Sequence, residues 1–139
     1  KDQVAERYSL IALHEPSDFL EICDYLIVLK NGRIIQQGTP EDVYRIPKDD
    51  YVASLCGYFT TITDELADVL NLSSGSFLRP SDLVVSTNGN IKGSVLSTSF
   101  HGLYYLSKVE TAGGVVLVST SKPLGIRAHI QLELNFNNH

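Results

Sequence analysis

The chain has no methionine and only two cysteines in 139 residues. Without an initiator methionine, the expectation is a segment cut from something longer. Cys23 and Cys56 are too few for a disulfide framework and do not form a Cys-x-x-Cys metal clip. No signal peptide is recognisable either, so a reducing cytoplasm is the expected setting. Long apolar runs are also missing. LIAL and LIVL are short and broken by polar residues, far below the roughly 20 residues needed to cross a bilayer. There is no run of Lys and Arg, which argues against a phosphate-backbone footprint and hence against a nucleic-acid partner.

What is present is the composition of a folded protein, with 43% apolar and 19% charged residues and a net charge of −5. The charge is unevenly placed. Residues 1–82 carry 7 basic and 14 acidic side chains, whereas residues 83–139 carry 4 basic and 2 acidic ones. This asymmetry points to two units.

In the first unit, residues 1–8 read as the tail of a helix. SLIAL, residues 9–13, reads as a continuous apolar strand of the buried parallel type, with His14 at its carboxyl end. Ser17 is placed to cap a helix over 18–26, where Phe19, Leu20, Cys23 and Leu26 fall on one side. LIVLKNGRIIQQG is a hairpin by its signals, because Asn31-Gly32 tolerates the positive φ angles of a tight turn. Thr39-Pro40-Glu41-Asp42 starts a helix: threonine accepts from free amides, proline suits the first turn, and the carboxylates face the positive end of the dipole. Pro47 ends it, and residues 51–55 form a second brief helix stopped at Gly57.

Residues 60–63 form a polar linker, after which residues 65–72 read as helical. Beyond Ser73 come short β-rich runs, SFL, LVVS, SVLSTSF, LYYLSKVE, VVLVST and HIQLEL, punctuated by Asn88-Gly89, His101-Gly102, Gly113-Gly114 and Pro123 with Gly125. This spacing predicts a small antiparallel barrel or sandwich.

Taken in order, LHEPSDFLEICD, YLIVLKNGRIIQQGTPEDVYRIP and DYVASLCG resemble the carboxyl end of an importer-type ABC transporter nucleotide-binding subunit. Gly32, Arg33, Ile34, Gly38, Thr39, Pro40, Val43, Tyr44, Pro47, Val52, Ala53 and Gly57 occupy matching positions. The second half resembles the transport-associated OB-like domain that follows such ATPases, with Arg79-Pro80-Ser81-Asp82 as its Arg-Pro-acidic turn. Leu13 stands where the family often has threonine, and Glu15 where it has aspartate. The resemblance implies an α+β fold: an α/β remnant of an ABC ATPase domain over residues 1–60, then a small antiparallel OB-like β-barrel over 61–139. It implies that the full-length parent uses ATP and Mg, works as a homodimer with transmembrane permease subunits, and lies peripherally on the cytoplasmic face of the membrane. The transported substrate is not readable from these residues.

By the same resemblance His14 is the switch histidine, which contacts the γ-phosphate once two subunits close. An imidazole suits that role because one ring nitrogen donates while the other is oriented by a neighbour. The rest of the ATPase machinery is missing. No glycine is followed by lysine, as a phosphate loop requires, and SLIAL ends in histidine rather than an acidic pair. LSSGS at residues 72–76 reads as a loop. No cofactor-binding or metal residues are expected in this chain: His101, His129 and His139 are scattered surface histidines without metal-ligand spacing. Glu41 and Asp42 read as helix-start charges. Tyr104 and Tyr105 alternate sides of a strand, so one should pack and one be exposed. Asn71-Leu72-Ser73 fits the glycosylation pattern but means little in a cytoplasmic setting. The alternative function is a stand-alone OB-like module for a small anion or sugar, with the Gly113-Gly114 turn offering amides to an oxyanion.

Overall fold

The computed structural model describes residues 7–14 and 20–135. The Asn31-Gly32 signal produces the hairpin of β1 (Leu26–Lys30) and β2 (Arg33–Gly38). Both turn residues have positive φ, 50° and 72°, the geometry whose twist matches the flanking strands. The ladder shifts register between Val28 and Leu29. Helix α1 (Pro40–Arg45) begins as its sequence demands, with the Thr39 side chain accepting from the amide of Asp42. Asp49 caps α2 (Asp50–Leu55) in the same manner. Gln36 locks the connection between them by donating to the Ile46 carbonyl at 2.9 Å and accepting from the Lys48 amide at 2.7 Å. Val28, Val43, Val52 and Cys56 form the core of this part, with Leu20, Leu26 and Ile35 packed against it.

The linker expected at residues 60–63 contains a strand. β3 (Thr60–Thr61) pairs with β4 (Phe77–Leu78) and so straps both ends of α3 (Asp64–Leu70), which is capped by Thr63 at its start and by left-handed Asn71 at its end. LSSGS is a loop, closed by the Gly75 amide donating to the Ile62 carbonyl at 2.8 Å.

The remaining strands are β5 (Leu83–Val85), β6 (Ile91–Phe100), β7 (Tyr105–Thr111), β8 (Gly114–Thr120) and β9 (His129–Leu134). They form one antiparallel sheet in the order β5-β9-β6-β7-β8. It curls until β5 and β8 approach each other, giving a half-barrel compatible with an OB-like fold. A register shift in β6 between Val95 and Ser97 supplies part of the bend. Inside lie Leu83, Ile91, Val95, Val109, Val116, Val118 and Leu132, and α3 adds Leu66, Ala67 and Leu70 to the same core.

Two expectations fail in the first unit. Residues 9–13 are not a strand: no ladder partner pairs with them among the described residues, and Leu10 is 95% exposed. A buried parallel strand exists only with neighbours on both sides. Of the helix expected over 18–26, Ser17, Asp18 and Phe19 lie outside the described residues, while residues 20–22 form a turn rather than helix. Leu26, the last residue of the expected apolar face, opens β1 instead, and the few residues left before it are too short a run to repay the cost of helix nucleation. The helix tail expected over 1–8 lies outside the described residues except for Arg7 and Tyr8, which have no regular structure.

Gly113 fixes how α3 sits on the β7–β8 turn. A Cβ there would lie 2.5 Å from the Glu65 carbonyl oxygen and 2.7 Å from the Leu66 Cα, both backbone atoms. Gly113→Ala should therefore destabilise the chain by about 1–3 kcal/mol through overpacking. Gly125→Ala, whose Cβ would meet only the Ala128 methyl at 3.8 Å, should stay within about 0.5 kcal/mol of the parent. Urea denaturation of the two variants checks the contrast.

Candidate functional site

His14, the residue singled out by its motif, sits in an exposed bend and makes no hydrogen bond or ion pair among the described residues. The structure does not bring it to any other candidate residue. Glu15 beside it, like His139, lies outside the described residues.

The organised site is instead at Arg79, in the Arg79-Pro80-Ser81-Asp82 turn. The Arg79 amide donates to Asp82 Oδ2 at 2.7 Å, and the Asp82 amide returns a bond to the Arg79 carbonyl at 2.9 Å. This closed turn aims the guanidinium away from the half-barrel and into the first unit. There Nη1 is shared among the carbonyls of Ala53 (3.0 Å), Gly57 (3.3 Å) and Tyr58 (3.2 Å), while Nη2 donates to the carbonyl of Tyr44 at 2.9 Å. These acceptors belong to the ends of α1 and α2 and the segment just after, where helical carbonyls lack partners of their own. A cation is well placed there because the carbonyl end of each helix carries partial negative charge. The Tyr44 ring completes the seat, with its centroid 4.1 Å from the guanidinium carbon. Arg79 is only 5% exposed, and its Nε has no hydrogen-bond partner among the described residues.

Burial acts on three titratable groups at this seat, Arg79, Cys56 and Tyr44. It lowers the Arg79 pKa, an effect countered by Tyr44, Cys56 and Asp82. Burial raises both the Cys56 thiol and the Tyr44 phenol, with the Arg79 charge opposing in each case. A cleft of about 330 Å³ lies beside the seat, lined by Leu20, Phe77, Tyr44 and Asp82 among others. Its outer charges, Glu41 and Arg45, pair with each other at 3.0 Å, one helical turn apart. Both Glu41 and Asp42 thus serve α1, as their position after Thr39 indicated.

Of the remaining candidates, Tyr104, Tyr105, His101 and Gly113 depart from their sequence readings and His129 does not. Tyr104 and Tyr105 are both half-buried rather than one in and one out. Tyr105 leans on Phe100, and Tyr104 stacks on His101 with ring centroids 5.4 Å apart. His101 is no isolated surface histidine: it is half-buried, also meets the Tyr58 ring edge-on at 5.3 Å, and lies 3.0 Å from Ser99 Oγ through Nε2. The sequence carried no signal for this cluster, since Tyr58 and His101 come together only when β6 reaches the segment after α2. His129 is exposed on β9. Gly113 does not present a free amide, because it donates to Thr111 Oγ1 at 3.3 Å and is covered by α3. Among the described residues no three His, Cys, Asp or Glu side chains are grouped to hold a metal, and no helix is long and apolar enough to cross a membrane.

The Arg79 seat makes two predictions. Arg79→Ala removes the shared donor of four carbonyls, one buried and three partly buried, and should cost about 3–5 kcal/mol. Arg79→Lys should recover less than half of that, because a point ammonium cannot span the fork. Urea unfolding followed by tyrosine fluorescence and by far-ultraviolet dichroism should give one transition for the parent and two separated transitions for Arg79→Ala. The second prediction concerns alkaline pH. Cys56 and Tyr44 have folded pKa values above their ordinary 9.0 and 10.0, so the unfolded chain loses these protons first. The stability from their neutral forms is full below about pH 9 and is lost as pH rises through the folded values. Denaturation from pH 7 to 11 should show that decline, and Cys56→Ala should delay its onset.

No family model matches the chain. Among curated proteins, it is 28% identical over 145 residues to the spermidine/putrescine import ATP-binding protein PotA of Clostridium acetobutylicum, covering 90% of this chain and 41% of that protein. It is 25% identical over 149 residues to the PotA of Mycoplasmopsis synoviae, covering 88% of this chain and 32% of that one. Over 81 residues it is 37% identical to the sulfate/thiosulfate import ATP-binding protein CysA of Vibrio vulnificus, covering 58% of this chain and 21% of the other. The chain thus spans about two fifths or less of the length of these relatives. Its curated homologues are import ATP-binding proteins, which supports at the level of family the importer-type ABC resemblance carried by its ordered motifs.

Proposed function

We propose that this chain is the carboxyl-terminal regulatory and dimerisation portion of an ABC importer ATPase subunit. Residues 1–60 would be the end of the nucleotide-binding domain and residues 61–139 a transport-associated OB-like domain. The parent couples ATP and Mg chemistry to solute import, acts as a homodimer, and docks on permease subunits at the cytoplasmic face of the membrane. The observation that carries this reading is the likeness to import ATP-binding proteins over 90% of the chain, across the hairpin unit and the half-barrel alike.

The distribution of apolar surface supports it. In the hairpin, Val28 and Ile35 face the core, yet Ile27, Leu29 and Ile34 are 45%, 57% and 58% exposed on the strands. A two-stranded ribbon apolar on both faces is suited to a position inside a larger sheet domain. Residues 9–13 tell the same story, as an apolar run uncovered among the described residues. A nucleotide-binding domain would supply cover for both.

In this reading His14 acts in the parent and not in the described residues alone. A group that meets the γ-phosphate only in the closed dimer stabilises the transition state more than the ground state. In the full-length protein, His14→Ala should lower kcat by about a hundredfold or more while nucleotide affinity changes less than about threefold. Steady-state ATPase kinetics with nucleotide titration check this. The encoded residues that precede Lys1 provide the independent test. A phosphate loop and an LSGGQ-like signature are expected there, and an unrelated sequence would refute the assignment.

A further inference from the structure

We propose that the cleft between the segment after α2 and the β6–β7 turn is a binding site for a neutral saccharide. The proposal is independent of membership in an ATPase. The cleft has a volume of about 490 Å³, within the range that encloses small organic ligands. Tyr44 comes to it from α1, Tyr58 from the segment after α2, and Tyr104 from the β6–β7 turn, while Ser81 and Ser119 add hydroxyls from the Arg79 turn and β8. No charged side chain lines it.

That lining discriminates among ligand classes. An anion requires cationic or amide donors, and the Arg79 guanidinium is spent on backbone carbonyls outside the lining. An organic cation is held best where a carboxylate stands beside the aromatic faces; no carboxylate lines this cleft, and Tyr44 already has a guanidinium over its ring. A sugar requires aromatic rings, whose negative faces attract its polarised C–H groups, together with hydroxyls that both donate and accept. The cleft has both. The hydroxyls of Tyr44, Tyr58, Tyr104, Ser81 and Ser119 have no hydrogen-bond partner among the described residues. Tyr104 and Tyr58 are also preorganised. His101 stacks on one face of Tyr104 at an interplanar angle of 11° and meets Tyr58 at 82°, which holds the two tyrosine rings roughly perpendicular to each other. Tyr44 and Cys56 are already protonated near neutral pH, and burial raises both pKa values further, so the floor is neutral.

The test is an amide-shift titration of the whole chain with glucose, galactose, mannose, maltose and lactose, alongside spermidine and sulfate. At least one sugar should saturate shifts at Gly57, Tyr58, Tyr104 and Ser119 with a Kd below about 50 mM. Tyr104→Leu and Tyr58→Ala should each weaken that binding about tenfold or more. Should either variant lose its dispersed spectrum, Ser119→Ala and Tyr58→Phe replace them, with an expected loss of about threefold. Failure of all five sugars to saturate, saturation confined to other residues, or saturation of these amides by spermidine or sulfate in place of a sugar would overturn the proposal.

Discussion

The buried guanidinium of Arg79 is the constraint on which the relation between the two cores depends. A planar fork with five donors is the one side chain able to bond carbonyls from α1, from α2 and from the segment after α2 at the same time. It starts from a turn whose own bonds to Asp82 leave no slack, and β5 follows immediately, so the first strand of the half-barrel is anchored to the helix ends by one residue. The Asn135 amide donating to the Asp82 carbonyl at 2.7 Å ties the end of β9 to the same turn. Desolvating that charge is costly, and the carbonyl partners with the Tyr44 ring offset most of the cost.

Around this joint the two cores are self-sufficient to different degrees. The half-barrel closes on itself: α3 fills the inner face, β3 and β4 strap it, and the Ser119 amide reaches the Pro80 carbonyl where β8 meets the Arg79 turn. The hairpin unit has a small core of four buried side chains and leaves an apolar ribbon face uncovered among the described residues. Its order comes from local devices: capped helices, the Gln36 clamp, and Tyr51 Oη donating to the Leu29 carbonyl at 3.0 Å. The cleft lined by Tyr44, Tyr58 and Tyr104 lies where the two meet, next to Pro80 and Ser81 of the Arg79 turn.

Local chemistry made the hairpin, α1, α2, α3 and the six strands β4 to β9 legible in the sequence. Asn31-Gly32, Thr39-Pro40 and the alternation in VVLVST each constrain their own few residues and need no distant partner. The Arg-Pro-acidic turn was visible as well, though only as a family likeness, and nothing nearby in sequence indicated that its arginine would reach back to Tyr44 and Ala53. The readings that failed, the strand over 9–13 and the helix over 18–26, are those whose stability rests on burial against something else. The pairing of β3 with β4 was missed for a related reason: two-residue strands carry no periodicity, and Thr60 and Thr61 look like any polar linker.

Sequence by itself determined the elements whose energy is local: capped helix starts, a positive-φ turn, and alternating apolar strands in an antiparallel half. It also carried the ordered motifs that relate the chain to import ATP-binding proteins. Tertiary structure alone decided where the Arg79 charge is buried, which rings surround His101, and why Gly113 must lack a side chain. Each of those depends on atoms brought together from distant parts of the chain, and packing distance, unlike propensity or pattern, is not written in any short stretch of residues.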